Sequence, residues 1–306
     1  MADAGIDNDD IRQVQDYMRR EFETLMRPLK HPVYHYTTGA AAANILEEAK
    51  LRATNILYLD DGREMLHSVT YFRQAMAMRQ DADPATPAGA LNEMIARYLS
   101  EVGDYVPPDI WIATFTAQYD CPRQWRRVAE QGHGVALGFP SAGIVRAADT
   151  GGALLAPCCY DDRTKIEIMT RGLNLLEKLY AKRLKGISRP PQADALVRYV
   201  VRELALFGAL MKPSEYAEEN EWRLVLCNPS QTAVGARRIT ALSKPDYTSL
   251  YIDLEIADAT DRLPIGEILI GPSARQQMTT RAFRTLLYKH GYDRADVVPS
   301  QTTLTN

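Results

Sequence analysis

Apolar and polar positions along the chain predict helices and strands in an irregular order. Apolar residues recur at intervals of three and four between residues 9 and 27, which predicts an amphipathic helix. A short strand at 32–37 follows, and the alanine-rich stretch at 39–50 predicts a second helix. Helical patterns recur from Asp60 or Asp61 to about 76, and at 90–102, 166–184, 193–211 and 274–289.

Strand patterns are interleaved with these helices. They lie at 109–116, 134–139, 153–160, 221–227, 235–240, 249–254 and 266–270. Such an order predicts an α+β fold with a mixed or antiparallel sheet, several peripheral helices and an inserted helical hairpin, rather than a doubly wound parallel sheet. We expect an N-terminal helix at 1–30 and a single domain at 31–306, with the helical insertion at 161–211.

Polar side chains share one face of the strand that begins near residue 219. Since alternate side chains of a strand point the same way, Glu219, Glu221 and Arg223 are expected to lie opposite Trp222 and Leu224. Two interpretations remain open. The face is either solvent-exposed with an ion pair, or it is one wall of a ligand site.

A second polar face is predicted on the strand at 33–37. Alternation puts His35 and Thr37 on one side and Tyr36 on the other. The histidine is either a ligand contact or a core-edge residue bonded to the backbone. In the strand at 109–116, alternation also pairs Thr114 with Thr116, so two hydroxyl groups are available to line a pocket wall.

The segment after that strand combines an amide, an indole ring and cations at Gln124, Trp125 and Arg126. Guanidinium groups bind phosphate oxygens and indole offers a stacking face, so the segment suits a ligand with phosphates and a flat ring. It is equally typical of a helix start, with Pro122 in the first turn and Trp125 in the core.

Composition restricts the class of protein. Among 306 residues, 46% are apolar and 25% charged, as in a globular protein with a core, and the net charge of −3 provides no overall attraction for nucleic acid. Apolar runs fall short of the roughly 18 residues that span a membrane, and the acidic N-terminus does not resemble a secretory signal. We therefore expect a cytoplasmic protein that does not contact the membrane. The cysteine and histidine spacings give no metal signature.

Short motifs follow one another in a specific order over about residues 30–300. They are Tyr34–Thr37, Leu59–Asp61 with Glu64, Phe115–Thr116, Gln124–Arg126, Gly132–Phe139, Glu219–Arg223, and Glu267–Pro272 with Ser300. This ordered set resembles the bacterial family called domain of unknown function 2971, which in turn resembles the ADP-ribosyltransferase superfamily. The resemblance implies a sheet core of the ADP-ribosyltransferase type.

The resemblance also implies a set of site residues. His35, Thr37 and Glu221 match positions that hold nicotinamide adenine dinucleotide (NAD) in the superfamily. The Glu219-x-Glu221 spacing resembles the acidic pair of some transferases, and residues 114–116 loosely resemble a middle-strand hydroxyl motif.

Each residue has an expected role. Glu221 would stabilise the positive charge that develops on the ribose as the bond to nicotinamide breaks, and Glu219 would orient or deprotonate the acceptor. In the same site, His35 and Thr37 would hold the dinucleotide by hydrogen bonds. The other expected cofactor-binding residues are Tyr36, Thr114, Thr116, Gln124, Trp125 and Arg126, of which Arg126 and Trp125 would clamp pyrophosphate or a ring.

The sequence therefore predicts an ADP-ribosyltransferase that uses NAD as a substrate, without a metal. Its expected partners are a protein or nucleic acid acceptor and, if it is a toxin or phage-defence effector, an antitoxin or immunity protein. NAD hydrolysis by the same pocket is one alternative. The other is an inactive module that binds a nucleotide or a partner protein.

Overall fold

The computed structural model describes residues 6–59, 64–79, 83, 86–102, 109–184, 193–227, 239–243, 246–254, 256 and 261–303. The helices are α1 (Asn8–Leu25), α2 (Gly39–Glu48), α3 (Glu64–Ala77), α4 (Pro87–Val102), α5 (Pro122–Arg127), α6 (Ser141–Thr150), α7 (Asp162–Leu184), α8 (Ala193–Gly208) and α9 (Gln276–Lys289). The strands are β1 (Val33–Thr37), β2 (Leu51–Asn55), β3 (Ile110–Thr116), β4 (Val135–Phe139), β5 (Leu154–Pro157), β6 (Glu221–Cys227), β7 (Thr240–Ser243), β8 (Thr248–Leu254), β9 (Glu267–Ile270) and β10 (Asp296–Pro299). Short 3-10 helices lie at Ile56–Tyr58, Glu130–Gly132 and Ser214–Glu219.

The α+β class and the mixed sheet predicted from the sequence are confirmed. Among the described residues, the pairs β1–β3, β1–β4, β2–β8, β4–β9, β5–β6 and β7–β8 are antiparallel, and β9 and β10 run parallel. The predicted helical hairpin corresponds to α7 and α8. Asp60 and Asp61, at the predicted start of α3, lie outside the described residues, as does most of the strand predicted at 235–240.

Three elements have no counterpart in the sequence prediction, namely β2, α6 and β10. Strand β2 begins only two residues after α2, because Ala49 adopts a left-handed conformation (φ 53°) that ends the helix. Helix α6 follows Pro140 and packs closely, since a Cβ at Gly143 would come within 2.9 Å of Pro264. Such packing between distant segments leaves no periodic signal in the sequence.

By its internal contacts the chain divides into two compact units. The helical unit comprises Met1–Met26, Asn55–Ile110 and Cys158–Tyr216, and the sheet unit comprises Arg27–Thr54, Trp111–Pro157 and Ala217–Asn306. The bounds of the predicted helical insertion, 161–211, lie within the helical unit, as does most of the N-terminal segment. The single domain at 31–306 stays a prediction.

The helical unit has an apolar core to which α1, α3, α4, α7 and α8 all contribute. Charged side chains are also buried there. Arg171 binds both carboxylate oxygens of Glu21, at 2.8 and 2.7 Å, and Lys165, which is fully buried, donates to Asp162 Oδ1 at 2.8 Å. Each of these cations therefore has a carboxylate partner in the same unit.

The sheet unit contains the mixed sheet, whose strands run in the order β10-β9-β4-β1-β3-β2-β8-β7, with β6 paired to β3 and β5 to β6. One face, which we call the core face, packs on α2, α6 and α9. It carries Val33, Phe115, Leu137, Trp222 and Leu224, all buried in one apolar cluster. Because side chains alternate along each strand, the residues between these point to the opposite face.

Candidate functional site

The opposite face of the sheet unit carries most of the polar residues singled out in the sequence, and we call it the polar face. Its residues are Tyr34 and Tyr36 on β1, Thr114 and Thr116 on β3, Gly138 on β4, Glu221 and Arg223 on β6, and Glu267 on β9. The strand registers align them, since Tyr34 pairs with both Thr116 and Gly138, and Gly138 pairs with Glu267. A row of paired positions thus crosses four strands.

His35 and Thr37 do not lie on this face. Register pairs His35 with Leu137 and Thr37 with Val135, both of which are in the core-face cluster. The ring of His35 also lies 5.9 Å from that of Phe115. The prediction that His35 and Thr37 face one ligand together with Glu221 is therefore wrong, because the sheet separates them.

The surroundings of His35 match the alternative of a core-edge histidine. Its Nδ1 lies 2.9 Å from the carbonyl oxygen of Thr114 on the neighbouring strand, so Nδ1 carries the hydrogen. Burial lowers the pKa of His35, and the bond to Thr114 opposes that shift only in part. A neutral ring that donates to a main-chain carbonyl holds β1 against β3.

Glu221 is held by a cation on its own strand. Arg223 Nε donates to Glu221 Oε1 at 2.6 Å, and the two residues are only 1% and 7% exposed. The two side chains point the same way, as alternation predicts for positions two apart. Both have further interactions with the chain. The carboxylate of Glu221 is therefore the buried partner of a buried guanidinium group.

Glu219 lies just before β6, at the end of the 3-10 helix Ser214–Glu219. Asn220, with φ at 44°, separates it from the strand, so the alternation that predicted a face shared with Glu221 does not extend to it. Its side chain is 2% exposed and binds Arg127, while Arg123 lies 3.8 Å away. Thr116 donates its hydroxyl hydrogen to the main-chain carbonyl of Glu219 at 2.6 Å.

Helix α5 begins as the structural interpretation of its sequence predicts. Pro122 stands in the first turn, and Trp125 is fully buried with its ring 4.7 Å from that of Tyr36. Trp125 Nε1 donates to Asp120 Oδ1 at 2.7 Å. The prediction that Trp125 stacks on a ligand ring is wrong for this conformation, because neither face of the indole is accessible.

The other predicted cofactor-binding residues differ in the solvent exposure of their side chains. The hydroxyl of Tyr36 donates to the carbonyl of Gln118 at 3.3 Å and accepts from the amide of Cys121 at 2.9 Å, which fixes the turn after β3. Thr114 and Gln124 are half-buried, and Arg126 is exposed on α5. Arg123 and Arg127, on the same helix, both lie within ion-pair distance of Glu219.

Asp120 is a polar centre that the sequence analysis did not single out. Besides Trp125, it accepts hydrogen bonds from the Ser300 hydroxyl at 2.5 Å and from the Gln301 amide at 2.9 Å. Burial alone would raise the pKa of Asp120, but these bonds outweigh it and lower the pKa. Asp120 thereby joins the turn after β3 to the segment after β10, and no local pattern announces such a contact.

Glu267 on β9 is a further polar-face residue to which the sequence analysis assigned no role. Its Oε1 accepts the hydroxyl hydrogen of Tyr34 at 2.7 Å. Burial, and then this bond, raise the pKa of Tyr34. The only sequence signal for Glu267 is its position in the ordered motifs. Its contact with Tyr34 leaves no local pattern, because the pairing of β9 with β4 joins segments about 130 residues apart.

The described part of the chain contains neither a metal-binding cluster nor a membrane-spanning helix. No group of three or more histidine, cysteine, aspartate or glutamate side chains there is arranged to hold a metal ion. In the same part of the chain, every helix is too short or too polar to cross a membrane.

Comparison with known proteins gives one similarity. Residues 124–224 match the model of a family described as protein of unknown function (DUF2971). The match begins in α5 and ends in β6, so it includes the segment that carries Arg127 and Glu219 and the first half of β6. Searches of curated proteins and of solved structures returned no match.

Proposed function

We propose that the sheet unit is an ADP-ribosyltransferase that cleaves NAD on its polar face, with Glu221 as the catalytic carboxylate. The observation that carries the proposal is the arrangement of two carboxylates and three guanidinium groups at the start of β6. Glu219 lies with Arg123 and Arg127, and Glu221 with Arg223. His35 and Thr37 have no part in the site, since they lie on the core face.

The chemistry required of such a site is specific. As the bond between nicotinamide and ribose breaks, the bonding electrons leave with neutral nicotinamide and positive charge develops on the ribose. An ionised carboxylate beside the ribose stabilises that charge. Each carboxylate is paired with a guanidinium group, Glu221 with Arg223 and Glu219 with Arg127, so positive charge already lies beside both.

The arginines supply a second requirement. NAD carries a pyrophosphate group, and guanidinium groups bind phosphate oxygens through paired, charge-assisted hydrogen bonds. Arg123 and Arg127 are both about 40% exposed and stand one helical turn apart on α5. They can therefore meet a phosphate while Glu219 remains beside them to orient or deprotonate an acceptor. The acceptor is a protein or a nucleic acid.

A second function is favoured by one particular observation. Glu221 and Glu219 are both buried and engaged by arginine, as in a structural ion pair. That arrangement favours a module that binds a nucleotide or a partner protein without turnover. NAD hydrolysis would use the same residues as transfer, with water in place of the acceptor.

One experiment separates these functions. The whole chain is incubated with NAD labelled in its adenylate phosphate, with and without cell extract as a source of acceptors, and free nicotinamide is quantified. Transfer predicts nicotinamide release with label on a macromolecule. Release without such label supports hydrolysis, and saturable NAD binding without release supports the inactive module. If the protein does not bind NAD and does not release nicotinamide from it, the proposal of an NAD site is refuted.

A further inference from the structure

A second site lies at the other end of the polar face, where Glu267, Tyr34 and Tyr119 come together. Tyr34 on β1 and Glu267 on β9 are separated by β4, yet the Tyr34 hydroxyl reaches Glu267 Oε1 at 2.7 Å. The contact depends on Gly138, because a Cβ there would come within 2.7 Å of Glu267 Cγ and 2.9 Å of Tyr34 Cε1. A glycine at the crossing point leaves room for both side chains.

The exposed part of this site is aromatic. Tyr119 follows β3 and is 54% exposed, while Tyr34 beneath it is 4% exposed. The two rings meet edge to face, with centroids 5.5 Å apart and planes at 72°. An exposed ring supported by a buried ring is held in a defined position and still offers a free surface.

The local charge is negative. Burial, and then the carboxylates of Glu267 and Asp120, raise the pKa of Tyr119. Asp120 is committed to Trp125 and the segment after β10. Glu267 is half-buried, and in the described part of the chain no basic side chain forms an ion pair with it.

We propose that Glu267, Tyr34 and Tyr119 form a binding site for a guanidinium group, as carried by an arginine side chain. A planar cation stacks on the exposed ring of Tyr119 through its positive charge and donates N–H bonds to the carboxylate of Glu267. The Tyr34 hydroxyl holds that carboxylate in place before the ligand arrives. The site stands independently of NAD cleavage, because it uses neither Glu221 nor the arginines of α5.

The test measures binding of N-acetyl-arginine amide to the whole protein by NMR titration, with the neutral isostere N-acetyl-citrulline amide as the control ligand. We expect a dissociation constant in the ~1 mM range for the arginine compound, typical of one small cation at a partly exposed site. The citrulline compound, which has the same shape without the charge, should bind at least about tenfold more weakly. N-acetyl-lysine amide should also bind more weakly, since an ammonium group does not stack.

Variants locate the binding. Glu267→Gln should weaken binding of the arginine compound about tenfold, and Tyr119→Leu roughly two- to fivefold. Tyr288→Leu is the matched control, because Tyr288 is 82% exposed on α9, the helix on the core face. It should leave the dissociation constant unchanged. Since Tyr119 is exposed, its replacement tests the site without disturbing the core.

Several results would overturn the proposal. These are no binding of the arginine compound, equal binding of the arginine and citrulline compounds, equal binding of the lysine compound, or full affinity in Glu267→Gln. A short arginine-containing peptide distinguishes the source of the group. Tighter binding of the peptide than of the amide supports a polypeptide ligand, and equal binding supports a small guanidinium compound at the same site.

Discussion

Arg223 donates from Nε to Oε1 of Glu221 at 2.6 Å, with both side chains almost inaccessible to solvent. Two opposite charges removed from water repay their lost hydration mainly through each other. Removal of one partner leaves the other charge buried. The pair is therefore at once a structural element of β6 and the centre of the proposed site.

Replacement of the arginine should cost the fold much more than replacement of an exposed arginine. We expect Arg223→Met to lower the free energy of unfolding by about 3–5 kcal/mol, because it removes the guanidinium group that is bonded to the buried carboxylate of Glu221. Urea denaturation measures the change. Arg284→Met, at an exposed position of α9, is the control and should change it by less than about 0.5 kcal/mol. Equal losses in the two variants would contradict the buried pair.

His35 should make stability depend on pH. Burial lowers its folded-state pKa below the ordinary 6.5, so the unfolded chain takes up a proton first as the pH falls. The stability linked to neutral His35 is thus complete above pH 6.5 and declines as the pH falls towards the folded-state pKa. His35→Asn keeps a donor near Thr114 and removes the titration. The wild-type advantage over this variant should shrink between about pH 7.5 and 5.

The free energy of unfolding, measured by denaturation at each pH, gives the result directly. The four other histidines are common to both proteins, so their titrations cancel in the difference. A difference between wild type and variant that stays constant with pH would show that His35 titrates alike in the folded and unfolded states.

Gly138 should tolerate no side chain. Its Cβ would meet Glu267 Cγ at 2.7 Å and Tyr34 Cε1 at 2.9 Å, so Gly138→Ala should lower the free energy of unfolding by about 1–3 kcal/mol. Gly39→Ala is the matched control, since nothing lies within 4 Å of a Cβ at the start of α2. It should leave stability unchanged or raise it by up to about 1 kcal/mol. Equal stabilities of the two variants would argue against the close approach.

Asp162 should be needed for the stability of the helical unit, because its partner Lys165 is buried. Lys165 Nζ lies 2.8 Å from Asp162 Oδ1 and 3.3 Å from His67 Nε2, and Tyr71 also donates to Asp162. Asp162→Ala should lower the free energy of unfolding by about 3 kcal/mol, because a buried ammonium group loses its counter-charge. Asp16→Ala removes an exposed ion pair and should cost less than about 1 kcal/mol.

The double variant Asp162→Ala/Lys165→Met provides the decisive comparison for that pair. With the buried charge also removed, stability should recover in part. If the losses from Asp162→Ala and Lys165→Met simply add in the double variant, the two side chains do not depend on each other.

The sequence allowed good prediction within single elements and poor prediction between them. Alternation correctly put Glu221 with Arg223, because a strand fixes the relation of positions two apart. It gave no information on which face of β1 matches which face of β6. That depends on the register Tyr34 with Thr116 and on the shared core of Phe115 and Trp222, which are long-range pairings.

The same limit explains the other differences at the site. Whether Trp125 was core or ligand contact depended on Tyr36 and Asp120, which the chain brings to it only in the folded state. The alternation of polar and apolar residues next to it predicts that Glu219 is a strand residue. The left-handed conformation of Asn220 ends that pattern, and asparagine is one of the residues that adopts it most readily.

In the proposed site Glu221 on the polar face, and not His35 on the core face, carries NAD cleavage. The most direct measurement is the rate of nicotinamide release from NAD by wild type, Glu221→Gln, His35→Asn and the exposed control Glu48→Gln. We predict that Glu221→Gln loses roughly 100-fold or more of the rate, while the other two variants stay within about threefold of wild type. Undiminished release by Glu221→Gln, or its loss in a folded His35→Asn protein, would contradict the account.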